Sequence, residues 1–173
     1  SHTDSFALIS ATDRVIDTDE GEDKGHLYLI DLRSDSYSPI LLTESFTRAF
    51  APHGISFYKK DSTYLVMAIN HTKDGHSIEV FELNGRKMHH VRTLQHASMI
   101  SPNDIVMLDG DRFYFTNDHG YEKGFGKVIE EYGGLALSNV VYFDGENYME
   151  VADGIAYANG INYDKKRSLL FVA

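Results

Sequence analysis

Pro52-His53-Gly54-Ile55-Ser56-Phe57 is the stretch from which the fold is read, because its layout returns as Pro102-Asn103-Asp104-Ile105-Val106-Met107 and as Ala158-Asn159-Gly160-Ile161-Asn162-Tyr163. The polar second residues lie 50 and 56 positions apart. After a turn, each copy is followed by an apolar strand: Tyr64 to Ile69, Phe113 to Phe115, and Leu169 to Val172. A period near fifty residues leaves room for four short strands, which is the size of a propeller blade, and two to three such units are visible. The near absence of helical periodicity excludes helical solenoids.

Outward from these repeats, apolar runs are joined by turn dipeptides. Ser77 to Leu83 reaches Asn84-Gly85 and continues as Arg86 to Leu94; Ile105 to Leu108 reaches Asp109-Gly110 and continues as Arg112 to Thr116; Val140 to Phe143 reaches Asp144-Gly145 and continues as Asn147 to Val151. Such dipeptides favour type I′ hairpins, whose central residues both need positive φ. Phe6 to Ser10 and Gly25 to Leu32 read as further strands on either side of the acidic run Asp17 to Asp23. That run lacks the Asp/Asn-then-Gly order and the distal Glu of a calcium loop, and reads as a solvated surface loop. One short helical piece is expected near Phe125 to Tyr132, between Gly124 and Gly133-Gly134. The chain is thus expected to be all-β, one partial propeller domain over residues 1–173.

Composition agrees with a packed domain: 42% hydrophobic and 24% charged side chains suit a globular core rather than disorder. A formal net charge of -10 with no run of Lys or Arg argues against a nucleic-acid partner, while an acidic surface attracts cations. The absence of cysteine excludes disulfides, thiolate metal sites and a thiol nucleophile, and leaves the redox compartment open. No window approaches the ~18 to 20 apolar residues of a membrane span, and the first residues lack the basic-then-apolar order of a secretion signal.

Chemistry is expected where the repeats begin and where their second strands end. In a propeller, polar residues opening equivalent inner strands converge on one axis, which would gather His53, Asn103 and Asn159; each alone reads equally as a turn cap. Asn103 and Asn159 offer neutral amide oxygens, a ligand type calcium accepts at six to eight coordination, and carboxylates from other blades would complete the shell. Asp104 points opposite to Asn103, either toward a second, more buried ion or as a strand-edge carboxylate bound to backbone amides. His53 and His71 would lie side by side, and a histidine pair removes a proton from water near neutral pH. Asp118 or His119, closing the second repeat where Asn70-His71 closes the first, would orient the catalytic imidazole. His26, His76, His89, His90 and His96 read as exposed or hydrogen-bonded. Asn70-His71-Thr72 also fits an N-glycosylation sequon, a poor place for a glycan at a tunnel mouth. No Gly-x-Ser-x-Gly elbow, phosphate loop or His-Glu-x-x-His is present, which leaves metal-assisted attack by water.

Five motifs in this order, Ala51-Pro-His-Gly-Ile-Ser56, Ile69-Asn-His71, Pro102-Asn-Asp-Ile-Val106, Thr116-Asn-Asp-His119 and Ala158-Asn-Gly-Ile-Asn162, resemble the paraoxonase/arylesterase family over essentially the whole chain. The resemblance implies a six-bladed β-propeller, of which these residues cover roughly half the blades, with two Ca2+ ions in its tunnel. It implies that Asn103 and Asn159 bind the catalytic ion, and that Asp104 and the Ile55 carbonyl belong to a structural one. His53 and His71 match the family's histidine dyad, and Asp118 a supporting carboxylate. Lactones and aryl esters would be the substrates, some members of the family accept organophosphates, and a secreted or periplasmic location is implied.

The family's first acidic metal-binding pair would fall upstream of Ser1 and a later Asp-Asn pair beyond Ala173. The chain is therefore expected to be truncated at both ends, about three blades that pair with the missing remainder of the propeller through exposed edge strands. Two alternatives use the same pattern. A regucalcin/gluconolactonase-like enzyme would share the Pro-Asn-Asp context but act on sugar lactones, and Pro-His-Gly with Asn-His favours the first reading. A non-catalytic propeller would bind a protein or peptide on its loop face.

Overall fold

In the computed structural model the described residues are 3, 5–12, 25–121, 124, 132 and 135–173. The acidic run 17–23 and residues 125–131 of the expected helical piece lie outside them. The chain divides into two compact units, Ser1–Leu94 and Gln95–Ala173.

Among the described residues, the first unit holds two antiparallel sheets. Strands β1 (Phe6–Ala11), β2 (His26–Asp31) and β3 (Ile40–Leu41) form one, in sequence order. Strands β4 (Pro52–Lys60), β5 (Thr63–Thr72), β6 (Gly75–Asn84) and β7 (Lys87–Leu94) form a four-stranded meander, the unit from which propeller blades are made. Strand β5 is buried continuously from Val66 to Asn70, as a strand covered on both faces must be. Leu8, Leu27, Leu29, Leu42, Phe50, Val66, Phe81 and Leu83 make the core beneath both sheets. Each such side chain withdrawn from water contributes about 1.5–3 kcal/mol.

The second unit repeats the plan. Strands β8 (Pro102–Met107), β9 (Phe113–Asn117), β10 (Ser138–Phe143) and β11 (Tyr148–Ile155) form a second four-stranded meander, and β12 (Ile161–Asp164) pairs with β13 (Leu169–Val172). Phe113, Phe115, Val140 and Val141 are large side chains buried fully in it, with the Phe143 and Tyr148 rings 4.5 Å apart beside them. The all-β, blade-type expectation is met in both units.

The hairpins sit where the dipeptides place them, but their turns differ from the I′ expectation. Asn84 pairs with Lys87, so the central residues are Gly85 and Arg86; Gly85 has φ 60° and Arg86 is not among the positive-φ residues. Positive φ at the first central residue alone, with Gly there, is the II′ pattern. At the other two sites Met107 pairs with Phe113 and Phe143 with Tyr148, which makes longer loops. There the aspartate does the work of the turn. Asp109 Oδ1 accepts the Asp111 and Arg112 N–H groups, and Asp144 Oδ1 accepts those of Glu146 and Asn147. An aspartate that bonds its own backbone two and three residues on builds an Asx turn without needing a second left-handed residue.

Candidate functional site

Both first strands are irregular at the same place. The pairing of β4 with β5 shifts register between Pro52 and Ile55, and that of β8 with β9 between Pro102 and Ile105. The residues inside the two bulges are His53-Gly54 and Asn103-Asp104. A bulge releases main-chain groups from the ladder and re-aims the side chains next to it, so the partners of those groups decide where the functional residues point.

In the first unit the released carbonyls are taken by hydroxyls of and beside β1. Ser10 Oγ donates to His53 O at 2.7 Å and Thr12 Oγ1 donates to Pro52 O at 2.8 Å. A Cβ on Gly25 would collide with the Pro52 ring, so only glycine lets the chain enter β2 past this segment. His53 and His71, both half-buried, come together as expected: their ring centroids are 5.4 Å apart with planes at 87°. Ile55 is the first residue past the bulge and pairs with Ala68.

His76 joins this row, a residue that sequence reasoning set aside. It is the cross-strand partner of His71, with ring centroids 4.6 Å apart. The register would have found it, since a two-residue turn at Lys73-Asp74 puts His71 and His76 opposite each other. His90 likewise has a defined place: its Nε2 donates to Glu79 Oε2 at 2.8 Å, and Glu79 is only 3% exposed. Asn70, the sequon asparagine, is buried with its amide engaged, which leaves no room for a glycan in the folded chain.

In the second unit Asp118 and Asn103 are brought together. Asp118 accepts from Ser101 Oγ at 2.5 Å through Oδ1 and from Asn103 Nδ2 at 3.1 Å through Oδ2. Because a carboxylate accepts and Nδ2 donates, this contact fixes which end of the Asn103 amide is which and leaves Oδ1 as the acceptor end. Asp104 Oδ1 accepts from Ile105 N at 2.9 Å and Oδ2 from Ile161 N at 3.0 Å, so the carboxylate ties β8 to β12. One amide on each oxygen still leaves a lone pair on each. Asn159 is exposed, its N–H donates to Ala173 O at 2.7 Å, and its carbonyl accepts from Thr116 Oγ1 at 3.2 Å. Thr116 is fully buried and its oxygen also accepts from Asp104 N at 3.1 Å, so one hydroxyl bridges the two repeats that carry Asn103 and Asn159. Sequence reasoning missed Thr116. His119 is buried against Tyr157, ring centroids 5.1 Å apart.

Neutral amide oxygens with a carboxylate are hard donors of the kind calcium takes, and they supply only part of a shell of six to eight. Among the described residues no group of three or more His, Asp or Glu side chains is arranged to hold a metal. Among them, too, no helix is long and apolar enough to cross a membrane.

Comparison with known proteins gives a consistent picture. Residues 13–173 match the family model described as Arylesterase. The chain is 34% identical over 155 residues to serum paraoxonase/arylesterase 2 of Gallus gallus, covering 86% of this chain and 44% of that relative. It is 35% identical over 128 residues to serum paraoxonase/arylesterase 1 of Mus musculus, covering 72% of this chain and 36% of the relative. It thus spans less than half the length of these relatives. A solved structure of a protein from Lactobacillus plantarum, 10% identical, superposes with a TM-score of 0.52 over 98% of this chain and 46% of the other, a likeness of fold alone.

Proposed function

The chain belongs to the arylesterase family, and from that premise we propose that it carries the base and part of the calcium-holding apparatus of a hydrolase of aryl esters and lactones. The observation that carries this reading is the pairing of His53 with His71 at a bulge whose carbonyls are separately held. Two imidazoles in edge contact let one accept a proton while the other supports and orients it, which is general-base chemistry near neutral pH. His53 is assigned the removal of the proton from the attacking water and His71 the support.

The donor set of the second unit supports a calcium ion held by the side-chain oxygens of Asn103 and Asn159, with Asp104 assigned to a second ion. A calcium ion bound there would supply Lewis-acid stabilisation of the negative charge that develops on an ester carbonyl. The protein's own part is to present Asn103 in one orientation, through Asp118, and to hold the Asn159 backbone through Thr116.

The test is hydrolysis of a chromogenic aryl ester and of a simple lactone by the intact protein, with and without a calcium chelator. Cleavage that is lost on chelation, restored by calcium and abolished by His53→Gln is the expected result. Cleavage indifferent to both chelation and His53→Gln, or no cleavage at all with calcium present, would overturn the reading.

A further inference from the structure

The two four-stranded sheets share a device that the chemistry above does not use. Asn70 and Asn117 are buried, 2% and 0% exposed. Each ends the paired stretch of its second strand opposite the proline that opens the first, Pro52↔Asn70 and Pro102↔Asn117. Asn70 Oδ1 accepts from Ala51 N at 2.8 Å and its Nδ2 donates to Ala49 O at 3.2 Å. Asn117 Oδ1 accepts from Ser101 N at 3.0 Å and its Nδ2 donates to Ser98 O at 2.9 Å. The next residue adds a main-chain bond to the same segment: His71 N donates to Ala51 O at 3.1 Å, and Asp118 N to Ser101 O at 3.0 Å.

A flat amide that accepts from one peptide and donates to another fixes both the position and the rotation of the segment it grips. Each amide is held from behind by the third strand. Asn70 Nδ2 makes a long contact of 3.5 Å with Glu79 Oε1, which also accepts from Ser77 Oγ at 2.9 Å. Asn117 Nδ2 donates to Asn139 Oδ1 at 2.8 Å, and Asn139 Nδ2 to Glu150 at 2.5 Å. The two grips are alike, Asn70 reaching from Ala51 back two residues to Ala49 and Asn117 from Ser101 back three to Ser98, and the residues they carry differ. Two residues past Ala51 and one past Asn70 stand His53 and His71; at the matching places stand Asn103 and Asp118.

We propose that Asn70 and Asn117 are matched positioning residues, Asn70 holding His53 in register with His71 and Asn117 holding Asn103 in register with Asp118. This rests on the functional reading above and adds that equivalent substitutions in the two sheets have unlike consequences, because one grip carries the base and the other the metal-binding amide.

The experiment compares Asn70→Ser with Asn117→Ser in the intact protein, measuring kcat and KM for a chromogenic aryl ester and calcium half-saturation from a binding isotherm without substrate. Losing a buried, fully used amide partner predicts changes of about tenfold or more. For Asn70→Ser that change falls on kcat, with KM and calcium half-saturation held. For Asn117→Ser it falls on calcium half-saturation, and turnover lost at low calcium returns as calcium is raised. The same pattern of change in both variants, or a lower Tm with kcat, KM and calcium binding all unaltered, overturns the proposal. If either variant fails to fold, Ser77→Ala and Asn139→Ser, which loosen the grips from behind, are expected to show the same split more weakly, and its absence overturns the proposal equally. His53→Gln is the control. If it leaves turnover intact, the functional reading and the positioning role fall together; if it abolishes turnover while Asn70→Ser keeps the native kcat, only the positioning role falls.

Discussion

Asp118 grips Asn103 by the nitrogen end of its amide, Oδ2 accepting from Nδ2 at 3.1 Å while Oδ1 accepts from Ser101 at 2.5 Å. A hydrogen bond to a charged acceptor contributes roughly 1.5–3 kcal/mol, and its loss lets the Asn103 amide rotate away from the orientation proposed to serve a cation. Asp118→Ala is therefore expected to raise calcium half-saturation on the order of tenfold. Isothermal titration of the metal-free protein checks this, and unchanged affinity would mean that Asp118 does not orient the amide.

The division of labour between the units gives a second expectation. His53→Gln keeps the size of the side chain and removes the base, so turnover should fall by about 10²–10⁴ with calcium half-saturation unaltered. Asn103→Ala removes an oxygen donor and should weaken calcium binding itself. Steady-state kinetics run beside calcium titrations separate the two, and equal loss of both properties in both variants removes the assignment.

Thr116 was invisible in the sequence, where it reads as one more β-branched strand residue; only the fold shows that its hydroxyl accepts from Asp104 N and donates to Asn159 O. Thr116→Val keeps the shape and strands the partly buried Asp104 N–H against a fully buried side chain, a loss of about 1 kcal/mol or more. Thr116→Ser should retain most of the stability. Denaturant unfolding of the three proteins decides it, and a Val variant as stable as the parent contradicts the bridge.

What the sequence made legible and what it did not follow one physical division. The repeats at Pro52, Pro102 and Ala158 were readable because a blade imposes a length, and the pairing of His53 with His71 followed from where strands begin and end. The bulges at His53-Gly54 and Asn103-Asp104 were not, since a register shift depends on which hydroxyl captures the released carbonyl or amide, and Ser10 lies 43 residues from its partner. His76 and His90 look alike on paper. One is placed by a two-residue turn opposite His71, the other by the buried Glu79, a carboxylate that a strand pattern gives no reason to expect inside.

The hairpin at Asp144 offers a test of the Asx turns that replaced the expected type I′ geometry. The N–H groups of Asn147 and Glu146 hold the Asp144 carboxyl below its ordinary value of 3.8. A carboxyl whose pKa is lower folded than unfolded stabilises the fold above the unfolded value, and that contribution disappears as pH falls through the folded one. Asp144→Asn keeps an oxygen that accepts both N–H groups but carries no charge, so its bonds are weaker and do not titrate. The parent should therefore melt above the variant at neutral pH, and the difference in Tm should shrink as the pH is lowered below 3.8 through the folded value. A difference that stays constant across that range would mean the charge contributes nothing to the turn, leaving geometry alone to set it.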